Sequence, residues 1–174
     1  MKLPVVGTLL ESACARMPWY TDLAVVFDVL GGREREFDWL VTDLDCNDFP
    51  PELRSRTDRY FFAGEALSRL VHSQPQPVQF VWAVLTGFEH GTELDLSALQ
   101  VHPMAQDNPD FWSGEPRIQY PGARVELVCW DSTATLLLTA DVDLTARFRA
   151  GFPEAVDLQG HNRRRDAAGR GGRR

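Results

Sequence analysis

The sequence predicts an α+β fold, with a mostly antiparallel sheet of about five strands, helices on one side and the element order α-β-β-α-β-loop-β-β-α. Three observations lead to this class: β-branched and aromatic runs bounded by turn residues, a short segment with apolar residues at helical spacing, and a long proline-rich stretch without periodicity. The chain has 174 residues, 44% of them hydrophobic and 25% charged. This composition is typical of a globular protein, and no apolar run reaches the length of a membrane-spanning helix.

The first element is expected to be a helix. Residues 8–11 have the sequence Thr-Leu-Leu-Glu, the pattern of a capping box, and Pro18 would end the helix that follows. The alternative is an export signal, because Lys2 precedes the apolar residues 3–10. The shortness of that run and the glutamate directly after it favour the helix.

A hairpin is predicted next. The run Leu23–Leu30 is rich in β-branched and aromatic residues, and the two glycines after it indicate a tight turn. Residues 36–42 then form the return strand. Its apolar face carries Phe37, Trp39 and Val41.

The middle of the chain combines a helix, a strand and a long loop. Gly64–His72 has apolar residues at helical spacing, which predicts a short amphipathic helix. Residues 78–88 are apolar on both faces, as is typical of a central strand covered on both sides. Residues 89–122 contain four prolines and no period, so a loop is predicted whose length is typical of functional segments.

A second hairpin and a helix complete the predicted domain. Residues 125–130 and 134–140 form the two strands, joined by a polar turn. Asp143 is expected to cap the helix that follows, in which Leu144 and Phe148 share the buried face.

Charge divides the chain into an acidic body and a basic tail. We expect a single α+β domain over residues 1–159 and a disordered Arg/Gly-rich tail over residues 160–174. The last fourteen residues carry six Arg and one Asp, a net charge of +5, which leaves −12 on the rest. An acidic body disfavours nucleic acid as a partner of the folded part, and it favours either a basic protein partner or simple solubility.

The cysteines indicate a reducing compartment. There are three, an odd number, and none forms a Cys-x-x-Cys motif. This argues against a disulfide framework and a cysteine-rich zinc site, and a cytoplasmic location is expected. Nucleophile motifs and glycine-rich phosphate loops are also missing from the sequence, so no cofactor is expected.

Acidic residues after the first predicted hairpin are candidates for contact with a partner. They are Asp43, Asp45, Asp48 and Glu52. The first of them begins a segment that resembles the start of a calcium loop. However, such a loop needs glycine at its sixth position and glutamate at its twelfth, where this chain has Asp48 and Arg54. We therefore interpret these acids as a patch that steers a basic partner.

The long loop supplies the second group of candidate partner-binding residues, Asp107, Asp110 and Trp112. The tryptophan is expected either to anchor a partner or to fold back over the sheet as a lid. The same loop also offers an alternative metal site formed by His90, Glu93 and His102, which would make the protein a small metal-dependent enzyme.

The order of elements and the placement of aromatic residues resemble those of small uncharacterised bacterial α+β proteins, some of which are immunity proteins of polymorphic toxin systems. The resemblance covers residues 23–158. It is carried by Phe37-Asp38-Trp39-Leu40, Tyr60, Phe80-Val81-Trp82, Trp130-Asp131 and Phe152-Pro153. It implies a non-enzymatic protein-binding module that neutralises a cognate, basic toxin domain. A structural subunit of a larger assembly stays open as another interpretation.

Overall fold

The computed structural model describes residues 4–11, 14–17, 21–54 and 57–171. Within them, an antiparallel sheet of eight strands combines with four helices. The strands are β1 Val6–Glu11, β2 Thr21–Asp22, β3 Phe37–Cys46, β4 Arg59–Ala63, β5 Gln79–Glu89, β6 Val125–Trp130, β7 Ala134–Thr139 and β8 Val156–Asp157. The helices are α1 Leu23–Leu30, α2 Gly64–His72, α3 Val142–Gly151 and α4 Leu158–Gly171.

Strand β5 lies in the interior of the sheet, between β3 and β6. The strand order is β4-β3-β5-β6-β7-β1-β8, and the short β2 also pairs with β5. Both faces of β5 are apolar and both are covered, as the sequence predicts: Ala83 and Leu85 belong to one buried cluster, Val84 to a second and Phe88 to a third. The α+β class and the antiparallel sheet are therefore confirmed, with more strands than expected.

Three helices cover one face of the sheet. Helices α1, α2 and α3 bury their apolar sides against the same cluster, which includes Trp39 of β3 and Leu127 of β6. The rings of Phe27 and Trp39 are stacked with centroids 6.3 Å apart. The Trp39 indole donates a hydrogen bond of 2.8 Å to the carbonyl of Glu34, so its polar atom is satisfied inside the core.

The long loop covers the opposite face. It contains two 3₁₀ turns, Leu96–Ala98 and Pro109–Trp112. Phe111 packs with side chains of β5, β6 and β7, while Leu99 packs with Phe88 and Leu40. Leu158, the first residue of α4, belongs to this side as well. The expectation that all helices lie on one side is therefore wrong for α4.

The predicted first hairpin is wrong, because Leu23–Leu30 is the helix α1. The carboxylate of Asp22 caps it by accepting hydrogen bonds from the backbone N–H groups of Ala24 and Val25. Gly31 ends it with left-handed backbone at φ 70°. The buried residues Leu23, Val26, Phe27 and Leu30 follow helical spacing, and this spacing places one face of the run in the core.

The predicted first helix is also wrong, because residues 8–11 lie in β1, which pairs with β7 and β8. Leu9 and Leu10 are both buried, in clusters on opposite faces of the sheet. This two-sided burial requires an extended chain. Pro18, expected to end that helix, lies outside the described residues.

Two further boundaries differ near the C-terminus. Asp141, rather than Asp143, caps α3 by accepting from the N–H groups of Asp143 and Leu144. The boundary expected between the body and a disordered tail at residue 160 lies inside α4. Leu158 and Asn162 of α4 are buried, which fixes the start of this helix against the body.

The remaining predictions of secondary structure agree with the structure. The helix Gly64–His72 has the expected bounds, and the second hairpin is formed by β6 and β7. Leu144 and Phe148 are buried together on α3. In the described part of the chain, no helix combines the length and the apolar character needed to span a membrane.

The Asp22 cap provides a test of the helical assignment of α1. Replacing Asp22 with Ala removes the acceptor for two backbone N–H groups, so the free energy of unfolding should fall by about 1 kcal/mol in urea titrations. Asp22→Asn keeps an acceptor oxygen and should lose much less. Equal losses in the two variants would contradict a capping role.

Candidate functional site

The two acidic segments singled out in the sequence meet at Asp43. Its Oδ2 accepts hydrogen bonds of 2.7 Å from the backbone N–H groups of both Ala105 and Gln106. Beside it, the hydroxyl of Thr42 donates a 2.6 Å hydrogen bond to the carbonyl of Pro103. The end of β3 thereby holds the middle of the long loop, which brings the segment with Asp107 and Asp110 beside the first acidic segment.

A cluster of tryptophans lies on the same face of the sheet. The rings of Trp112 and Trp130 meet edge to face with centroids 5.0 Å apart, and Trp82 meets Trp130 in the same way at 5.1 Å. Asp45 is the direct cross-strand partner of Trp82. We call the group Asp43, Asp45, Asp107, Asp110, Trp82, Trp112 and Trp130 the acid–tryptophan surface.

The sequence predicts that Trp112 either anchors a partner or folds back over the sheet, and the structure shows the second arrangement. This residue folds back over the sheet onto Trp130 and is only partly buried. It therefore covers the sheet and still presents part of its ring to solvent. Asp45, Asp107 and Asp110 are exposed beside this cluster or in the segments joined to it, so their charges act in solvent.

Helix α4 borders the tryptophan cluster. The side-chain amide of Asn162 donates a 2.9 Å hydrogen bond to the carbonyl of Phe111, directly before Trp112. The guanidinium carbon of Arg165 lies 5.4 Å from the centroid of the Trp112 ring, a cation–π contact. A cleft of about 650 Å³ opens here. Its lining is Glu11, Trp112, Trp130, Thr133, Ala134 and Arg165.

Two of the predicted partner-binding residues are not part of this surface. Asp48 and Glu52 are exposed in the connection between β3 and β4. Leu53 in that connection packs into the cluster on the helical side, so the segment turns toward the opposite face. Cys46, between Asp45 and Asp48 in the sequence, is buried, and burial together with those two carboxylates raises the pKa of its thiol to about 12.

The residues of the alternative metal site do not form a cluster. Within the described residues, no group of three His, Cys, Asp or Glu side chains is placed to hold a metal ion. His90 instead binds Asp38 on β3, with 3.0 Å between Nδ1 and Oδ1, and this hydrogen bond raises the pKa of His90. Glu93 and His102 are exposed elsewhere on the loop.

A buried carboxylate holds the other half of the long loop. Glu126 on β6 is fully buried and accepts hydrogen bonds from the backbone N–H and the side-chain amide of Gln119, at 3.1 and 3.2 Å. The side-chain Oε1 of Gln119 in turn accepts hydrogen bonds from the backbone N–H of Met104 and the side-chain amide of Asn108. Burial raises the pKa of Glu126 to about 7, against the opposing effect of these hydrogen bonds.

A second cleft, of about 1080 Å³, lies at the edge of the sheet where β5 ends and β6 begins. Five acids and three arginines line it. Arg33 pairs with Glu36 and Asp141, and Arg124 pairs with Glu89. Four of the five acids are therefore engaged by arginines, counting the contact of Asp157 with Arg149, whereas the described residues show no ion pair for Asp45, Asp107 or Asp110.

Sequence reasoning missed several residues of the surface. Trp82 and Trp130 lie in predicted strands and are not among the candidate partner-binding residues, yet both are only partly buried. Arg165 was assigned to a disordered tail. The cross-strand pairs of β5 and β6 place Ala83 opposite Cys129, so the neighbouring tryptophans converge on the other face. Only the pairing of these strands reveals that meeting, because the two residues are 48 positions apart in the chain.

Comparisons with protein-family models, with curated proteins and with solved structures find no match to this chain.

Asp43 is expected to be a positioning residue for the long loop. Asp43→Ala removes the acceptor of two backbone N–H groups, so unfolding should cost about 1–2 kcal/mol less and amide exchange at residues 103–108 should accelerate. Asp43 has φ 50°, which asparagine tolerates, so Asp43→Asn should be milder. Asp45→Ala, at an exposed neighbour, is the control. Equal exchange rates in Asp43→Ala and Asp45→Ala would refute this role.

Glu126 predicts a specific pH dependence of stability. Because its pKa is raised in the folded state, to about 7, the folded chain binds this proton more tightly than the unfolded chain. Its stabilising contribution is complete below the unfolded pKa of about 4.3 and is lost as the pH rises through about 7. Glu126→Gln should therefore flatten the fall in unfolding free energy between about pH 5 and 8, by on the order of 3 kcal/mol.

The control for this measurement is Glu65→Gln, at an exposed position in the first turn of α2. It should follow the wild-type pH profile in urea titrations. The Glu126→Gln variant also exchanges one acceptor oxygen for a donor, which displaces its profile by a constant amount. Parallel profiles for wild type and Glu126→Gln would therefore rule out the raised pKa.

Proposed function

We propose that the protein is a non-enzymatic binding module that recognises a basic protein partner through the acid–tryptophan surface. The observation that carries this proposal is the pair of hydrogen bonds from Ala105 and Gln106 to Asp43. They unite two acidic segments and Trp112 on one face. An immunity protein that neutralises a basic toxin domain in the cytoplasm is the form of this function that the resemblance implies, and the three free cysteines suit that compartment.

The acids of the surface serve association. Asp45, Asp107 and Asp110 are exposed, so their charges reach into solvent and attract an approaching cationic protein. The body to which they belong carries a net charge of −12, which adds a long-range attraction. Complementary charge raises association rates by one or more orders of magnitude at low ionic strength and is screened by salt.

The tryptophans serve retention. Trp112 packs against Trp130, and the preceding residue Phe111 is held by the hydrogen bond from Asn162, so little conformational freedom is lost when a partner covers the exposed part of Trp112. A rigid, partly exposed tryptophan surrounded by polar residues is a typical hot spot of protein interfaces. The surface thus combines steering acids with an apolar anchor.

Charge reversal tests the role of the acids. The partner is first isolated by affinity capture on the full-length chain and identified by mass spectrometry. Its association rate is then measured by surface plasmon resonance over a salt series. Reversing Asp45 and Asp110 to lysine should slow association about tenfold or more at low salt and flatten the salt dependence.

The matched control reverses two exposed acids away from the surface, Glu65 on α2 and Glu154 after α3, and changes the net charge by the same amount. Association of this control should stay close to the wild-type rate. Equal slowing in the two double variants would mean that only net charge matters. An unchanged rate in both would overturn the proposed surface.

A further inference from the structure

The cleft beside Trp112 has features of a binding site for a cation. Two tryptophans, Trp112 and Trp130, and the acidic residue Glu11 are among the residues that line it. Aromatic faces and a carboxylate both attract positive charge, and the planar guanidinium group of arginine also stacks on indole rings. Trp112 and Trp130 meet nearly perpendicular, at 84°, so one of them presents its face where the other presents its edge.

The chain itself supplies a stand-in for such a ligand. Arg165 of α4 places its guanidinium over the Trp112 ring, 5.4 Å from the centroid. No ion pair of Arg165 with an acid is found in the described residues, so the aromatic ring is the contact that the structure gives this charge. His161, one turn earlier, lies 6.2 Å from the same ring and its Nδ1 lies 3.9 Å from a carboxylate oxygen of Glu11.

A specific hydrogen bond of Asn162 holds α4 in this position. Its side chain is 3% exposed, and its amide nitrogen binds the carbonyl of Phe111. Its Oδ1 is buried without a hydrogen-bond partner among the described residues. Leaving a buried acceptor unpaired costs free energy, so the contact of α4 with the body is not optimal at Asn162.

We propose that the cleft is an arginine-binding site, that Arg165 fills it in the free chain, and that a basic protein partner inserts an arginine of its own in the place of Arg165. The proposal rests on the proposed function and names the feature of the partner that the surface takes. It also gives α4 a role: its four arginines and one aspartate make it a basic segment on an acidic body, so it competes with the partner for the same site.

A peptide titration tests the site without the natural partner. The full-length chain is titrated with hexa-arginine, and with hexa-lysine as the control of equal charge, while tryptophan fluorescence and calorimetry are followed at low ionic strength. Hexa-arginine should bind more tightly than hexa-lysine. Arg165→Ala should strengthen hexa-arginine binding about two- to fivefold over Arg164→Ala, because only the former removes the cation over the ring.

Arg164→Ala is the matched control, since it removes the same charge from an exposed neighbouring position of α4. In the Arg165→Ala background, Trp112→Leu should lower the affinity for hexa-arginine by a similar factor, and Trp112→Phe should restore part of it. Equal affinities of the Arg165→Ala and Arg164→Ala variants, or of the two peptides, would refute an arginine site.

A spectroscopic measurement on the unmodified chain keeps the test independent of substitutions at Trp112. The ring current of Trp112 should shift the side-chain NMR signals of Arg165, and hexa-arginine should move them toward the values of a free arginine. Signals that stay in place at saturating peptide would overturn the competition. If the natural partner is then still lost on reversal of Asp45 and Asp110, the proposed function stands while the arginine site fails.

Discussion

The central strand β5 is apolar on both faces, and this constraint determines the architecture. Ala83 and Leu85 need a cover on one side of the sheet, and Val84 and Phe88 need one on the other. Three helices form the first cover, and they satisfy their own backbone hydrogen bonds. The second cover is a loop, which has no ladder of its own and must find a partner for each backbone group that it buries.

Polar side chains of the sheet solve this problem. Asp43 and Thr42 hold the loop at residues 103–106, and Glu126 holds it through Gln119. Such buried or half-buried acids are costly unless they are hydrogen-bonded, and each of them accepts two hydrogen bonds. These hydrogen bonds fix the position of the long loop and therefore the geometry of the acid–tryptophan surface. Asp43, which sequence reasoning grouped with partner-binding acids, therefore acts by positioning the others.

The elements that the sequence predicted correctly are those with a clear signal in a short stretch of neighbouring residues. The helix Gly64–His72 has apolar residues at helical spacing, and the β6–β7 hairpin has a polar turn between two apolar strands. Leu23–Leu30 shows no single period in its sequence, because seven of its eight residues are apolar, and the two glycines after it fit a helix end as well as a hairpin turn. The Asp22 cap is the sequence signal that favours the helix, and the structure then buries Leu23, Val26, Phe27 and Leu30 at helical spacing.

The acid–tryptophan surface was predictable only in part, for a physical reason. Exposed acids and a loop tryptophan stand out in the sequence, since they serve no evident purpose in a core. The meeting of Trp112 with Trp82, Trp130 and Arg165 depends on strand register and on the docking of α4, which are contacts between distant parts of the chain. No local pattern encodes such contacts, so compositional reasoning assigned α4 to a tail.

The docking of α4 also bears on selectivity. A basic segment attached to an acidic body has a high effective concentration at any acidic surface within its reach, because the chain connects them. A cation of a partner must bind the cleft more strongly than Arg165 does before it can occupy the site. Weakly basic proteins are therefore disfavoured without any repulsive contact against them. On the proposed function, α4 therefore also determines how strongly a partner must bind in order to displace Arg165. A partner that places several cations opposite the acids of the surface and an arginine at Trp112 would bind strongly enough.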